Sequence, residues 1–121
     1  MGSAVLLGQL YHWSPADRFH SIRAHGLVPG SPQVTCTRAH PHICLSPDPL
    51  TAWELSAQVV IDTGGAYARV AWDLWQVTLD KRDEIRIPAM YGPHIAEVQV
   101  DNVIPPVRAV YLARRARPRR L

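Results

Sequence analysis

A chain of 121 residues and 13.5 kDa has room for one core, and an apolar fraction of 47% excludes a disordered protein. The net charge of +3 averages two unlike parts: Arg114, Arg115, Arg117, Arg119 and Arg120 crowd the last eight residues, and without them 8 basic face 10 acidic side chains. No run approaches the ~20 apolar residues of a membrane span, and no secretory signal is visible. The expectation is therefore a cytoplasmic domain over residues 1–113, with Cys36 and Cys44 as reduced thiols and a solvated basic tail over 114–121. Phosphate contact with a nucleic acid is the alternative use for that tail.

Residues 4–13 read as a first strand ending in Leu10, Tyr11, His12 and Trp13. Ser14-Pro15 stops it, since proline lacks an N–H and suits a first helical turn while serine suits an N-cap. Phe19, Ile22 and Arg23 recur at helical spacing, so a helix is expected from Pro15 to His25, closed by Gly26 as a left-handed C-cap. A proline-punctuated loop follows, with a short extended piece at Val34–Thr37. His42–Ser46 is a brief second strand, cut off by Ser46-Pro47-Asp48-Pro49, and Leu50–Val60 is a second helix. Asp48 fits the N-cap of that helix.

Beyond the Gly64-Gly65 turn the pattern becomes strand-like. In Arg69–Leu79 the apolar positions change parity midway (Trp72 and Leu74, then Trp75, Val77 and Leu79), which predicts a bulge. Lys81–Glu84 is a charged turn, Glu84–Ile87 a short extended stretch and Met90–His94 a loop. Ile95–Val100 alternates, placing Glu97 and Gln99 on one face and Val98 and Val100 on the other. Val103-Ile104-Pro105-Pro106 turns into a last strand, Val107–Ala113. The fold class expected is α+β: a split mixed or antiparallel sheet with two helices in the N-terminal half.

Four groups of residues could carry chemistry. His12 sits at a strand-to-helix turn, where an imidazole can hydrogen-bond a sugar hydroxyl or exchange a proton. Glu97 is a carboxylate in an otherwise apolar strand, and period alone puts it on the solvated face. Ser46 and Asp48 close the second strand. Cys36, His40, His42 and Cys44 have zinc-type side chains, but their spacing matches no familiar finger and one short strand cannot readily surround an ion. No metal is expected there.

Three segments in order resemble the ADP-ribosyltransferases: LYHWSP with FHSIRAHGLVPG, ICLSPDPLTAWELSA, and AEVQVDNVIPPVRAVYL. The first is similar to the opening of the rifampicin ADP-ribosyltransferases and the RNA 2′-phosphotransferases. The resemblance implies that NAD lies across a split sheet, with His12 on a cofactor ribose and Glu97 stabilising the positive sugar of the transition state. It implies catalytic roles for His12 and Glu97, and a cofactor surface of His12, Trp13, Ser14, Cys44, Ser46 and Trp53. Cys44 stands where the family has a tyrosine; Trp53, Tyr67 and Tyr91 are rings that could sandwich nicotinamide instead. The activity implied is NAD-dependent ADP-ribosyl transfer, or NAD hydrolysis, with a protein, nucleic-acid or small-molecule acceptor; at this size the acceptor is expected to be read by loops 31–41 and 87–94 or by the 114–120 tail. An RNA 2′-phosphotransferase-like enzyme and a silent binding module on the same fold are the alternatives.

Overall fold

The computed structural model describes residues 8–29, 42–62, 70–87 and 97–116. Strand β1 (Gln9–Pro15) runs two residues past Trp13, and a single 3₁₀ turn, Ala16–Arg18, leads into α1 (Phe19–His25). The helix expected from Pro15 thus begins as a tighter turn. Gly26 closes it with φ 79°, and its N–H donates to the Ile22 carbonyl at 2.8 Å. That positive φ favours glycine, and a Cβ there would drive into the Ile104 carbonyl. Strand β2 (Ile43–Leu45) and helix α2 (Pro49–Asp62) follow. Asp48 caps α2 as expected: its carboxylate accepts from the Thr51 N–H at 2.8 Å and the Thr51 hydroxyl at 2.9 Å. These bonds hold the Asp48 carboxyl below its ordinary pKa.

The second half supplies β3 (Ala71–Thr78), β4 (Ile85–Arg86), β5 (Val98–Val100), a 3₁₀ turn at Pro106–Arg108, and β6 (Ala109–Ala116). Two three-stranded sheets result, ordered β1-β3-β6 and β2-β5-β4, with every strand pair antiparallel. Between them the backbone makes one bridge. Tyr11 N–H donates to Ser46 O at 2.8 Å and Ser46 N–H returns to Tyr11 O at 2.9 Å.

Two differences from the sequence reading have clear causes. The register does shift at Leu74/Trp75, but only toward β6, where Leu74 faces Ala113 and Trp75 faces Tyr111, so the extra residue is Leu112. The parity change in β3 instead records burial on both faces. Trp72 and Leu74 pack with Trp13 and Ala52, while Trp75 and Val77 join Leu10, Ile22, Ile43, Leu45, Val98, Val100 and Ile104 in the larger core. Each fully buried aliphatic side chain there contributes roughly 1.5–3 kcal/mol.

The last strand also ends later than expected, at Ala116, so Arg114 and Arg115 belong to the sheet rather than to a solvated tail. Arg114 grips buried Asp73 with two bonds, at 2.6 and 3.1 Å, and the Arg115 guanidinium lies 4.1 Å from the Trp53 ring centroid. A buried carboxylate and an indole face are what hold these exposed arginines to the sheet. Expectations for 4–7, Val34–Thr37, Gly64-Gly65 and Met90–His94 lie outside the described residues, as do Cys36, Arg38, His40, Tyr67, Tyr91, Arg117, Arg119 and Arg120.

Between β3 and β4, Asp83 is a polar hub. Its carboxylate accepts two bonds from Arg108 (2.6 and 3.0 Å), one from the Asn102 amide (2.8 Å) and one from the Asp80 N–H (2.8 Å). Burial alone would raise its pKa. The bonds from Arg108, Asp80 and Asn102, together with the Arg108 charge, outweigh burial and hold it below the ordinary carboxylate value.

Candidate functional site

Alternation along β1 sends His12 and Ser14 to one face and Tyr11 and Trp13 to the other. Opposite them on β3 stand Trp75, paired with His12, and Asp73, paired with Ser14. The His12 Nδ1 lies 2.7 Å from the Cys44 carbonyl oxygen. A carbonyl only accepts, so Nδ1 carries the proton. Burial pulls the His12 pKa below its ordinary value, and the bond to Cys44 only partly opposes this. The ring is therefore neutral at pH 7, and its Nε2 is an acceptor.

That Nε2 is buried without a hydrogen-bond partner among the described residues, and so are the Ser14 hydroxyl and the Trp75 indole N–H. One face of two neighbouring strands thus offers an acceptor, a hydroxyl and a donor, all unanswered. Leaving a buried polar group unsatisfied costs roughly 1–3 kcal/mol. His12 and Ser14 share one face of β1 with such atoms, and a site for a hydroxylated ligand would leave groups of this kind unpaired until the ligand binds.

A second group lies across the seam between the sheets. His42, Cys44 and Glu97 are all buried, and their nitrogen, sulfur and carboxylate oxygen lie within 4.8 Å of one another. His42 Nε2 is 3.8 Å from Glu97 Oε2, and the Gln99 amide donates to Glu97 Oε1 at 3.4 Å. The β2–β5 register pairs Cys44 with Gln99 and Leu45 with Val98, which carries Glu97 to the level of Ser46. The expectation that Glu97 faces solvent is therefore corrected: it is 3% exposed. Period two says that Glu97 and Gln99 share a face but not that the face is covered. Cys44 is likewise not a free thiol; it is disulfide-bonded, and the chain's other cysteine, Cys36, lies outside the described residues.

His12 and Glu97 therefore converge on Cys44, one at its backbone carbonyl and the other beside its side chain. The six residues expected to line a cofactor do not form one surface. His12 and Ser14 share a face of β1, and Ser46, held to Tyr11, sits with Cys44 on the adjoining sheet. Trp13 turns the opposite way, packing edge-on to Trp53 with ring centroids 4.6 Å apart and donating its Nε1 proton to Pro49 O at 3.0 Å. The sequence marks Trp75 only as an apolar strand position and does not single out Asp73. The signal for Asp73 was available: it is a lone acid in AWDLW, flanked by residues buried on both sides.

No family model, no curated protein and no solved structure matches the chain. Among the described residues no helix is long and apolar enough to cross a membrane.

Proposed function

We propose that the protein is an NAD-consuming enzyme of the ADP-ribosyltransferase type, transferring ADP-ribose to an acceptor or to water. The observation that carries this reading is the pair of unanswered groups on β1, His12 Nε2 and Ser14 Oγ, both buried and both suited to ribose hydroxyls. A neutral imidazole accepts from a hydroxyl, and the serine can accept or donate. Two antiparallel sheets meeting beside this pair agree with a split-sheet architecture.

Glu97 supplies the chemistry. As the bond from nicotinamide to C1′ breaks, nicotinamide leaves with the electron pair and positive charge grows on the sugar. A carboxylate fixed in a buried position stabilises that charge more than the ground state. The acceptor then bonds to C1′ and releases a proton.

Calorimetric titration with NAD, paired with chromatographic measurement of released nicotinamide, tests the reading. Glu97→Gln is expected to lower turnover by about 10²–10³ while NAD still binds, and His12→Ala to weaken NAD binding. Unchanged turnover in Glu97→Gln removes the carboxylate from the mechanism. Binding with no nicotinamide released by the wild type would make the protein a silent nucleotide-binding module.

A further inference from the structure

We propose that, once Cys44 is reduced, the chain binds one zinc-class divalent ion through the His42 imidazole, the Cys44 thiolate and a Glu97 carboxylate oxygen. The proposal does not depend on NAD chemistry. It starts from adjacency, because the three ligand atoms already lie within 4.8 Å of one another and the His42–Glu97 approach is 3.8 Å. Ligands at about 2.0–2.3 Å from a tetrahedral zinc stand roughly 3.3–3.8 Å apart. Closing around an ion therefore asks for small side-chain adjustments and no change of backbone register.

The backbone favours this. His42 and Cys44 are two residues apart on or beside β2, so they share a face, and Glu97 arrives from the antiparallel neighbour β5. Two neighbouring strands of one sheet set the ligands side by side on the same face, a spread that one short strand cannot give. The donor set also selects the metal class. An imidazole, a thiolate and a single carboxylate suit zinc, whereas calcium and magnesium prefer oxygen throughout. Thiolate and carboxylate together balance the charge of a divalent ion, and three protein ligands leave one position for water. All three side chains are buried, where two anions and an ion compensate one another more strongly than in bulk water.

The disulfide makes the site conditional. In the present structure the Cys44 sulfur is bonded to another sulfur and has no thiolate to offer. A phosphine reductant with one water converts the disulfide into two thiols and a phosphine oxide. The ion then displaces the proton of the Cys44 thiol, and one metal–sulfur bond forms.

The test uses the full chain, reduced with a phosphine, desalted and titrated with zinc sulfate against a chromophoric chelator. One ion per chain is expected after reduction and none before it. Cys36→Ser, which leaves Cys44 without its fellow cysteine, is expected to bind one ion with no reductant. With cobalt in place of zinc it should show a sulfur-to-cobalt charge-transfer band. In the reduced chain, His42→Ala, Cys44→Ser and Glu97→Gln should each weaken binding by more than the roughly 10–100-fold typical of losing a partner outside the ligand set. Cys44→Ser and Glu97→Gln are near-isosteric, so they keep the test decisive if His42→Ala does not fold. A reduced chain that binds no ion overturns the proposal. So does loss of binding in Cys36→Ser with retention in Glu97→Gln, which would place the ion on the Cys36, His40, His42, Cys44 run instead.

Discussion

Two buried polar regions of this molecule are built on opposite plans. Around Asp83 the carboxylate receives four hydrogen bonds, two of them from Arg108, and the cluster ties the β3–β4 turn to Asn102 and to the turn before β6. On β1, His12 Nε2 and Ser14 Oγ are just as deeply buried, yet no described residue answers them. The first region is closed on itself and can only stabilise. The second gives up stability, as a site completed by the proposed ligand would.

Substitutions can break this contrast. Asp83→Ala removes the buried partner of Arg108, which is left with its bond to Thr78 O, so the largest loss is expected here, about 1.5–3 kcal/mol by urea unfolding. Asp83→Asn should recover part of it by keeping the approach of neutral donors. Were Asp83→Ala to cost less than about 1 kcal/mol, the hub would be no better than a surface ion pair.

Acid should sharpen the difference next. The folded Asp83 pKa is lowered, so its contribution is complete above the unfolded carboxylate value of about 3.9 and disappears as pH falls through the folded value. His12 acts earlier. Its folded pKa lies below the ordinary value, so below about pH 6.5 the unfolded chain takes up a proton that the folded chain refuses, and stability declines. Urea midpoints measured against pH should show both limbs, the upper one absent in His12→Gln and the lower one reduced in Asp83→Ala.

The smallest effect is the most telling. Ser14→Ala deletes an unanswered hydroxyl, so the unliganded protein should be unchanged or stabilised by about 1 kcal/mol, while NAD affinity falls. A clear loss of stability instead would mean that the hydroxyl already has a structural partner.

Much of the scaffold was legible in the sequence because local chemistry decided it. Gly26 and Asp48 set the ends of elements through backbone rules that need no distant partner, whereas Pro15, expected to open a helix, ends β1 instead. Glu97 stood out as a titratable group in an apolar run, and His12 as an imidazole at an expected strand end, although β1 runs on to Pro15 and leaves it mid-strand. What stayed hidden depends on contacts far along the chain. The covering of Glu97, the pairing of Arg114 with Asp73 across 41 positions and the state of Cys44 follow from what folds against them. Five arginines near a terminus look like a solvated end until a buried acid lies opposite one of them.

The seam between the sheets has a mechanical consequence. Among the described residues it is held by the reciprocal pair joining Tyr11 to Ser46 and by the bond from the His12 ring to the Cys44 carbonyl. A zipper this short gives way before either ladder frays, so the Tyr11 and Ser46 amides should trade deuterium sooner than those inside β3. One of these fasteners is the imidazole, and replacing it loosens the junction as well as altering the chemistry beside it.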